Sequence, residues 1–350
     1  MQLQQTGVTY SCPDQMTPGY VLFAPGGGNQ VFLIDYKGQT IHQWHDTGGL
    51  THWCYLLPNG NLFVNERCEN PAGVALTSSG LMREYDWSGN LVFEFQDPWQ
   101  HHDARRLSNG HIVYLAFTPL QQDEQAKIKG GLSGSESEAG IVGECIREVD
   151  ANGKVVWEWH FTQFAEDQFP IHPNANRWSR GHTNTVFPMP DGNYLISCKI
   201  LNLLFIVDRQ TSEVIWYYQN NEMGGQHDAQ LLDSGNILLF ANGVYAPDLH
   251  HSQVWEINPL SNEIVWRYRA QDNPQSFFSP HIGGCQRLPS GNTLICEGAK
   301  GCLFEVTPNG DIVWEYVCPH FNQTQQFGRV NWLFRARHYS QDCEELNGRL

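Results

Sequence analysis

Five histidines occupy corresponding positions of a repeated sequence unit, and imidazoles repeated in this way could act together chemically. Each precedes a short apolar strand, a tight turn that ends in glycine, and a second apolar strand. The five are His52, His102, His182, His227 and His281. The turn glycine follows eight residues after His52, His102 and His227, and ten residues after the other two. We therefore expect His182 and His281 to be displaced or to lie on a bulge.

A second repeated unit follows each of these units and indicates how the chain folds. It is an apolar strand that ends near an acidic residue or asparagine, a short turn, and a strand that carries an aromatic anchor. The anchors lie 49, 64, 59, 50 and 48 residues apart, at Trp44, Phe93, Trp157, Trp216, Trp266 and Trp314. A four-strand unit of about this length is typical of a β-propeller. The sequence therefore predicts an all-β, six-bladed β-propeller.

The two ends of the chain predict how the ring closes. The first blade begins at Tyr20 with no inner strand before it, whereas residues 330–337 form a spare strand after the last blade. A C-terminal strand that joins the N-terminal blade would leave no long free sheet edge. We expect one domain over residues 1–340, followed by a loose tail at residues 341–350.

The loops predict a working face. Short glycine turns join the strands at one end of each blade. The long connections all emerge at the other end, at 118–143, 161–181, 242–252, 270–280 and 317–329. The histidines lie at this end of a central channel, where Arg329 or Asn331 takes the place of a sixth histidine. The composition of 118–143 fits either a disordered insertion or a lid over the channel.

Imidazoles that meet at the channel allow two kinds of chemistry. One histidine can act as a nucleophile while its neighbours stabilise an anionic group, which requires no cofactor. Alternatively, several histidines hold a divalent transition metal (Fe, Cu or Zn) and leave one position open. The metal ligands would be His52, His102, His182, His227 and His281, in an oxidoreductase or lyase that acts on a small aromatic or anionic substrate. A third interpretation is a non-catalytic binding platform, which predicts a channel plugged by apolar side chains.

Two segments resemble the arylsulfate sulfotransferase (arylsulfotransferase-like) family. They are residues 225–243, which contain Gly-Gln-His227-Asp-Ala, and residues 181–197, which contain Gly-His182-Thr-Asn184. The resemblance implies a six-bladed propeller that moves a sulfuryl group from an aryl sulfate to a phenolic acceptor without a nucleotide donor. It implies His227 as the nucleophile and His182 and Asn184 as ligands of the sulfuryl oxygens. Lys199 stands where the family carries an arginine, so it keeps the charge but loses the bidentate fork.

Residues near the mouth of the channel are weaker candidates for binding substrate. They are Arg177, Trp178, Arg180, Asn242 and His250. The first three precede His182 in a long loop, where they could bind an aromatic or anionic group. Asn242 and His250 belong to the loop that follows the second strand of the His227 unit.

Charge and composition limit the partners. The 21 basic and 37 acidic residues give a net charge of −16, which disfavours nucleic acid and anionic membrane surfaces. No run of eighteen apolar residues predicts a membrane span. The start lacks a signal peptide, so we expect a cytoplasmic protein, or a periplasmic one if a signal has been removed. The ten cysteines form no CxxC pair and are expected to be reduced and mostly buried. The expected partner is a small-molecule substrate, and the sequence does not specify the oligomeric state.

Overall fold

Six antiparallel sheets of four strands, arranged as a ring, account for most of the regular structure. The computed structural model describes residues 5–350 except 46, 48–50, 69–78, 139, 165–167, 248 and 325–326, and leaves out the side chains of residues 51 and 52. In each sheet, called a blade, the strands are lettered a to d in the order of their pairing. The a strands of neighbouring blades contact one another all the way round, so they form the inside of the ring. The predicted six-bladed β-propeller is confirmed.

The blades follow one another along the chain, with strand a of blade 1 supplied by the C-terminus. The strands, from a to d, are Leu333–Tyr339, Tyr20–Pro25, Val31–Asp35 and Thr40–Trp44 in blade 1; Thr51–Leu56, Leu62–Arg67, Gly80–Tyr85 and Leu91–Gln96 in blade 2; Gln100–Arg106, Ile112–Thr118, Gly143–Val149 and Val155–His160 in blade 3; Thr183–Pro188, Tyr194–Cys198, Leu203–Val207 and Val214–Gln219 in blade 4; His227–Leu231, Ile237–Ala241, Gln253–Asn258 and Glu263–Tyr268 in blade 5; and Gly284–Arg287, Thr293–Glu297, Cys302–Val306 and Ile312–Val317 in blade 6.

Smaller elements decorate the blades. An N-terminal strand, Gly7–Ser11, adds a fifth strand to the outside of blade 6. Two short pairs are formed by Gly130–Leu132 with Ile171–Asn176 and by Asn322–Thr324 with Gly328–Val330. The helices are the α-helix Gln122–Lys127 and the 3₁₀ helices Phe161–Gln163, Lys199–Leu201, Asn221–Met223, Pro274–Ser276, Gly298–Lys300 and Glu344–Leu346. No helix within the described residues is long and apolar enough to cross a membrane.

The core is divided among the six interfaces between neighbouring blades. Each of the six main groups of buried apolar side chains combines residues from two adjacent blades. The repeated tryptophans explain part of this packing, because they reach across to the next blade. Trp44 Nε1 donates to the carbonyl oxygen of Asp86 at 3.0 Å, and Trp314 Nε1 donates to that of Tyr36 at 2.9 Å. The aromatic anchor therefore pins the c–d turn of the neighbouring blade.

The C-terminal strand closes the ring as predicted. Strand a of blade 1 pairs with Tyr20–Pro25, and Tyr20 lies opposite Tyr339. The strand begins at Leu333 rather than at residue 330, because Gly328–Val330 pairs with Asn322–Thr324 instead. The expectation of a loose tail is wrong. Leu346 is 2% exposed within the core between blades 1 and 2, and Arg349 donates to the carbonyl oxygen of Asn59.

Candidate active site

The inner strands of blades 3, 4 and 5 share an irregular start. The pairing of strand a with strand b shifts register within the first residues of each blade. Positive φ angles accompany these bulges at His102 (52°), His182 (48°) and Asp228 (54°). Residues other than glycine seldom adopt this left-handed conformation. Because a bulge re-aims the side chains around it, these irregular starts set the directions of the histidines.

His182 and His281 lie outside their inner strands, as their longer spacing suggested. Strand a begins at Thr183 in blade 4 and at Gly284 in blade 6. His182 is nevertheless beside His102, with ring centroids 4.9 Å apart. His281 packs against Trp332, with centroids 4.8 Å apart. We call His102, His182, His227 and His281 the inner histidines.

Asn242 determines which nitrogen of His227 carries the proton. Asn242 Nδ2 donates to the carbonyl oxygens of Ser279 and Ile282 at 2.7 and 2.9 Å. The amide oxygen Oδ1 therefore faces His227 and lies 2.6 Å from its Nδ1. An amide oxygen can only accept a hydrogen bond, so Nδ1 carries the proton and Nε2 keeps its lone pair.

The surroundings of His227 keep its imidazole neutral. The residue is only 2% exposed, and burial is the main cause that lowers its pKa well below 6.5. The charge of Lys199 acts in the same direction, whereas the hydrogen bond to Asn242 opposes it. A neutral imidazole with a free Nε2 is the form that can attack an electrophile.

Lys199 is the cation shared by three of the inner histidines, His182, His227 and His281. Its charge lowers the pKa values of His182, His227 and His281, in each case after the larger effect of burial. Burial also lowers the pKa of Lys199 itself to about 8. Its side chain runs past Gly225, where an added Cβ would lie 3.3 Å from Lys199 Cγ. Lys199 is thus mostly protonated at neutral pH, and it loses its proton at a pH only slightly above neutral.

Aromatic rings lie beside the inner histidines. The centroid of the Trp178 ring lies 4.9 Å from that of His182 and 5.8 Å from that of Phe117. The Phe334 ring lies 6.4 Å from His102 and 6.5 Å from His227. These rings could hold an aromatic group next to the imidazoles.

His102 is supported by a second histidine that the repeat did not assign. His101 Nδ1 lies 2.8 Å from His102 Nδ1, so one ring donates to the other. The His101 ring is fully buried and stacks on Phe117 with centroids 3.9 Å apart. Burial lowers the pKa of His101 to about 3, so it acts as a neutral support for His102.

A buried ionic network lies among the inner strands and was not predicted. Arg335, fully buried on strand a of blade 1, pairs with Asp103 Oδ2 at 3.1 Å and Asp228 Oδ1 at 3.2 Å. It also donates to the carbonyl oxygen of Asn184 at 2.7 Å. Burial alone would raise the pKa of Asp228, but Arg337 and Arg335 outweigh it and lower the value to about 2. Asp228 is thus an anion at neutral pH beside His227.

The same network surrounds one tryptophan. The guanidinium groups of Arg105, Arg335 and Arg337 lie 5.2, 5.1 and 4.9 Å from the ring centroid of Trp53. The side chains between the inner strands here are therefore charged and aromatic. This differs from the plug of packed apolar side chains that a simple binding platform predicts.

Comparison with known proteins identifies the family. The sequence profile named arylsulfotransferase (ASST) matches residues 56–319, which is most of the chain. The protein belongs to the arylsulfotransferase family. No curated protein is significantly similar in sequence.

Solved structures resemble this arylsulfotransferase family member in fold. A protein of unknown function from Bacteroides caccae has 15% identity and a TM-score of 0.57, over 91% of this chain and 98% of that one. A streptogramin B lyase has 13% identity and a TM-score of 0.50, over 97% of this chain and 96% of that one. At such low identity, the likeness concerns the fold alone.

Two asparagines of this arylsulfotransferase family member lie behind the histidines. Asn184 is fully buried, and its Nδ2 donates to the carbonyl oxygen of Gln226 at 2.7 Å. This bond links blade 4 to the residue before His227. Asn242, predicted to bind substrate, is also fully buried and holds His227. Both asparagines therefore position His227 within the protein.

The other predicted binding residues are spread over different places. Arg177 pairs with Glu136 at 3.0 Å and so binds the 118–143 segment rather than the inner histidines. Arg180 is 6% exposed and donates to the carbonyl oxygen of Phe169 at 3.0 Å. His250 is exposed, and its ring stacks on Phe278 with centroids 6.4 Å apart. Of the five, Trp178 alone has a described ring contact with an inner histidine.

Arg329 and Asn331, predicted to take the place of a sixth histidine, make other contacts. Arg329 stacks on Phe321 at 4.6 Å, and Asn331 donates to the carbonyl oxygen of Cys318 at 2.9 Å. Phe334 and Arg335 are the residues of blade 1 that reach the inner histidines and their aspartates. Arginines at alternate positions of an apolar strand, as at 335 and 337, are the sequence signal that could have revealed this buried ionic role.

The metal interpretation has no support among the described residues. No group of three or more His, Cys, Asp or Glu side chains within them is arranged to hold a metal ion. The side chain of His52, one of the five predicted ligands, lies outside the described part of the chain. All ten cysteines are described as free thiols, and seven are buried.

Proposed function

We propose that the protein transfers a sulfuryl group from an aryl sulfate to a phenolic acceptor through a covalent intermediate on His227. The observation that carries this proposal is the hydrogen bond between Asn242 Oδ1 and His227 Nδ1. It leaves the Nε2 lone pair of a neutral imidazole available for attack. Membership of the arylsulfotransferase family supports the class of reaction.

The first half of the reaction forms one bond and breaks another. His227 Nε2 attacks the sulfur atom, the nitrogen–sulfur bond forms, and the bond from sulfur to the phenolic oxygen breaks. The electron pair of that bond leaves with the phenolate. In the second half, the acceptor phenol gives its proton to the Lys199 amine that the first half left neutral, and its oxygen attacks sulfur. The new sulfur–oxygen bond forms as the nitrogen–sulfur bond breaks, and the electron pair of the broken bond returns to His227 Nε2.

Lys199 is the best proton donor for the leaving phenolate. Burial lowers the pKa of His281 to about 4, so its imidazole is not protonated at neutral pH. The pKa of Lys199, about 8, leaves the ammonium group mostly protonated at pH 7 while making its proton easier to give up. The same positive charge would stabilise the sulfuryl oxygens in the transition state. His182, beside it, can donate a hydrogen bond to these oxygens.

The aromatic residues suit an aryl substrate. Trp178 and Phe334 each lie against inner histidines, so an aryl ring held between them would place its sulfate near His227. Trp178 is therefore the predicted binding residue that we retain. Alkyl sulfates should react poorly because their ester groups neither stack on aromatic rings nor leave as stabilised anions.

The test is transfer of the sulfuryl group from 4-nitrophenyl sulfate to phenol, measured by the absorbance of the released nitrophenolate. His227→Ala should lower kcat/KM by at least about 10³-fold, because it removes the nucleophile. His45→Ala, which changes an exposed histidine, should leave the rate unchanged. Mass spectrometry of protein quenched with the donor alone should find the sulfuryl group on His227. Transfer that persists in His227→Ala would overturn the proposal.

A further inference from the structure

A cavity lies apart from the inner histidines. Its volume is about 250 Å³, and it is formed by the 118–143 segment together with blade 3 and the loop that leads to blade 4. Apolar side chains supply much of its wall, namely Leu120, Ile128, Phe161 and Phe164. Two buried charged side chains, Glu144 and Arg180, also line it, together with the more exposed Glu124 and Lys127.

Both buried charged side chains are only partly satisfied. Glu144 is 1% exposed, and its Oε2 accepts hydrogen bonds from the backbone N–H, at 3.1 Å, and the hydroxyl of Thr183. Arg180 is 6% exposed and uses Nη1 on the carbonyl oxygen of Phe169. Glu144 Oε1 and Arg180 Nη2 have no hydrogen-bond partner among the described residues. Leaving such buried atoms unpaired is unfavourable, so a ligand that satisfies both would be favoured.

The two charges are close but do not pair directly. Burial lowers the pKa of Arg180, and the negative charge of Glu144 partly offsets this effect. Within the described part of the chain, no ion pair joins the two side chains. A group placed at this site would therefore meet an acceptor on one side and a cationic donor on the other.

We propose that this cavity binds a small neutral aromatic molecule that carries a hydroxyl group, that is, a phenol. Its O–H would donate to Glu144 Oε1, and its oxygen would accept from Arg180 Nη2. Its ring would pack among Phe161, Phe164 and Ile128. A carboxylate would be repelled by Glu144 and an ammonium group by Arg180, so a neutral group that both donates and accepts fits best.

This site is distinct from the proposed transfer site. Glu144 bonds to Thr183, which follows His182, so the chain at residues 181–183 separates the cavity from the inner histidines. Binding there does not require that His227 is a nucleophile. The inference can therefore fail or hold independently of sulfuryl transfer.

The test is isothermal titration calorimetry with 4-methylphenol as the probe. We expect saturable binding to the unchanged protein and to His227→Ala with the same Kd within about twofold, because the cavity lies apart from His227. Glu144→Gln should weaken binding at least about tenfold, because the amide loses an acceptor at this position. Toluene lacks the hydroxyl and leaves both polar atoms unpaired, and benzoate is repelled by Glu144, so each should bind at least about tenfold more weakly.

A second variant removes the risk that Glu144→Gln merely unfolds the protein. Ile128→Trp should fill the cavity and abolish the binding event that Glu144→Gln weakens, with Glu144 and Arg180 left in place. Leu132→Trp, on an exposed residue of the same segment, is its control and should bind the probe normally. Circular dichroism and thermal unfolding check that each variant is folded. The absence of saturable binding, a binding event left unchanged by both Glu144→Gln and Ile128→Trp, or a Glu144-dependent event lost in His227→Ala would overturn the inference.

Discussion

At the scale of single residues, the candidate site depends on two polar groups that set the states of others. Asn242 holds the proton on Nδ1 of His227, and Lys199 provides a cation whose proton is unusually labile. Neither residue needs to change its conformation during the proposed reaction. The charge and the lone pair are arranged before the substrate binds, which is how enzymes lower the cost of developing charge.

Replacing Asn242 with aspartate should make the activity fall at acidic pH. A carboxylate beside Nδ1 favours the protonated imidazole and so raises the pKa of His227. In the unchanged protein this pKa is well below 6.5, so Nε2 keeps its lone pair at neutral pH. In Asn242→Asp, Nε2 becomes protonated as the pH falls through the raised pKa, and transfer is lost in that range. The measurement is kcat/KM against pH from 5 to 9, and an unchanged acidic side of the profile would contradict the assigned tautomer.

Replacing Lys199 with arginine should separate its two proposed roles. Activity of the unchanged protein should fall as the pH rises through about 8, where Lys199 loses its proton. Arginine stays charged at this pH but does not give up a proton. Lys199→Arg should therefore keep activity with 4-nitrophenyl sulfate above pH 8, yet lose about 10–100-fold with phenyl sulfate, whose leaving group needs the proton.

An equal change with both donors would contradict proton donation by Lys199. The comparison needs no assumption about binding, because the two donors are tested on the same variant. Lys154→Arg, on a c–d turn far along blade 3, is the matched control.

At the scale of elements, the 118–143 segment is an ordered part of the site. Its helix Gln122–Lys127 and strand Gly130–Leu132 replace the disordered insertion that its composition also allowed. The strand pairs with Ile171–Asn176, and the N–H of Val142 donates to the carbonyl oxygen of Trp178 at 2.9 Å. The segment therefore holds the loop that brings Trp178 to His182.

Arg177 is the side chain that fastens these two elements. It pairs with Glu136 and donates to the carbonyl oxygen of Ile128 at 3.2 Å. Arg177→Ala should raise KM for the aryl donor about three- to tenfold and change kcat less than about twofold, because Trp178 binds the ring and takes no part in bond breaking. Hydrogen exchange should become faster over residues 128–142. A fall in kcat without a change in KM would contradict this role, and Arg209→Ala in blade 4 serves as the control for loss of an arginine ion pair.

The sequence predicted the elements better than the directions of their side chains. Periodicity and turn glycines were sufficient for the blades, because each repeat has the same alternation and the same anchor. They could not show the positive φ angles at His102, His182 and Asp228, which depend on contacts between blades. For the same reason they could not show that the Asn184 amide donates to the carbonyl oxygen of Gln226, or that Asn242 Oδ1 lies beside His227 Nδ1. Arg335 was missed because its partners are more than one hundred residues away in the chain.

At the scale of the whole molecule, one buried network joins the inner strands of all six blades. Blade 1 supplies Arg335 and Arg337, and blades 3 and 5 supply Asp103 and Asp228. The other blades contribute Trp53, the hydroxyl of Thr185 and the N–H of Cys285. Gly284 makes room for this arrangement, since an added Cβ would lie 2.4 Å from Asp228 Oδ2. Ring closure by the last strand is thus coupled to the aspartates that adjoin His102 and His227.

Removing Arg335 should therefore weaken the whole ring and raise the pH at which acid unfolds it. Arg335→Met leaves Asp103 and Asp228 short of a partner, which should lower the free energy of unfolding by about 3–5 kcal/mol. The pKa of Asp228, about 2 in the folded protein, lies below its ordinary value of 3.8. The ionised carboxylate thus contributes stability above about pH 4 that is lost as the pH falls through about 2. Without Arg335 that pKa rises, so the loss should occur at higher pH.

Urea unfolding at pH 7 and acid unfolding monitored by tryptophan fluorescence measure the two effects. Arg269→Met, on an exposed arginine of blade 5, is the control and should change the free energy of unfolding by less than about 1 kcal/mol. Since the network spans all the blades, unfolding of Arg335→Met should remain a single transition with a lower midpoint. A separate early transition confined to blade 1 would instead mean that the last strand closes the ring through its backbone pairing alone, with the ionic network contributing little to the other blades.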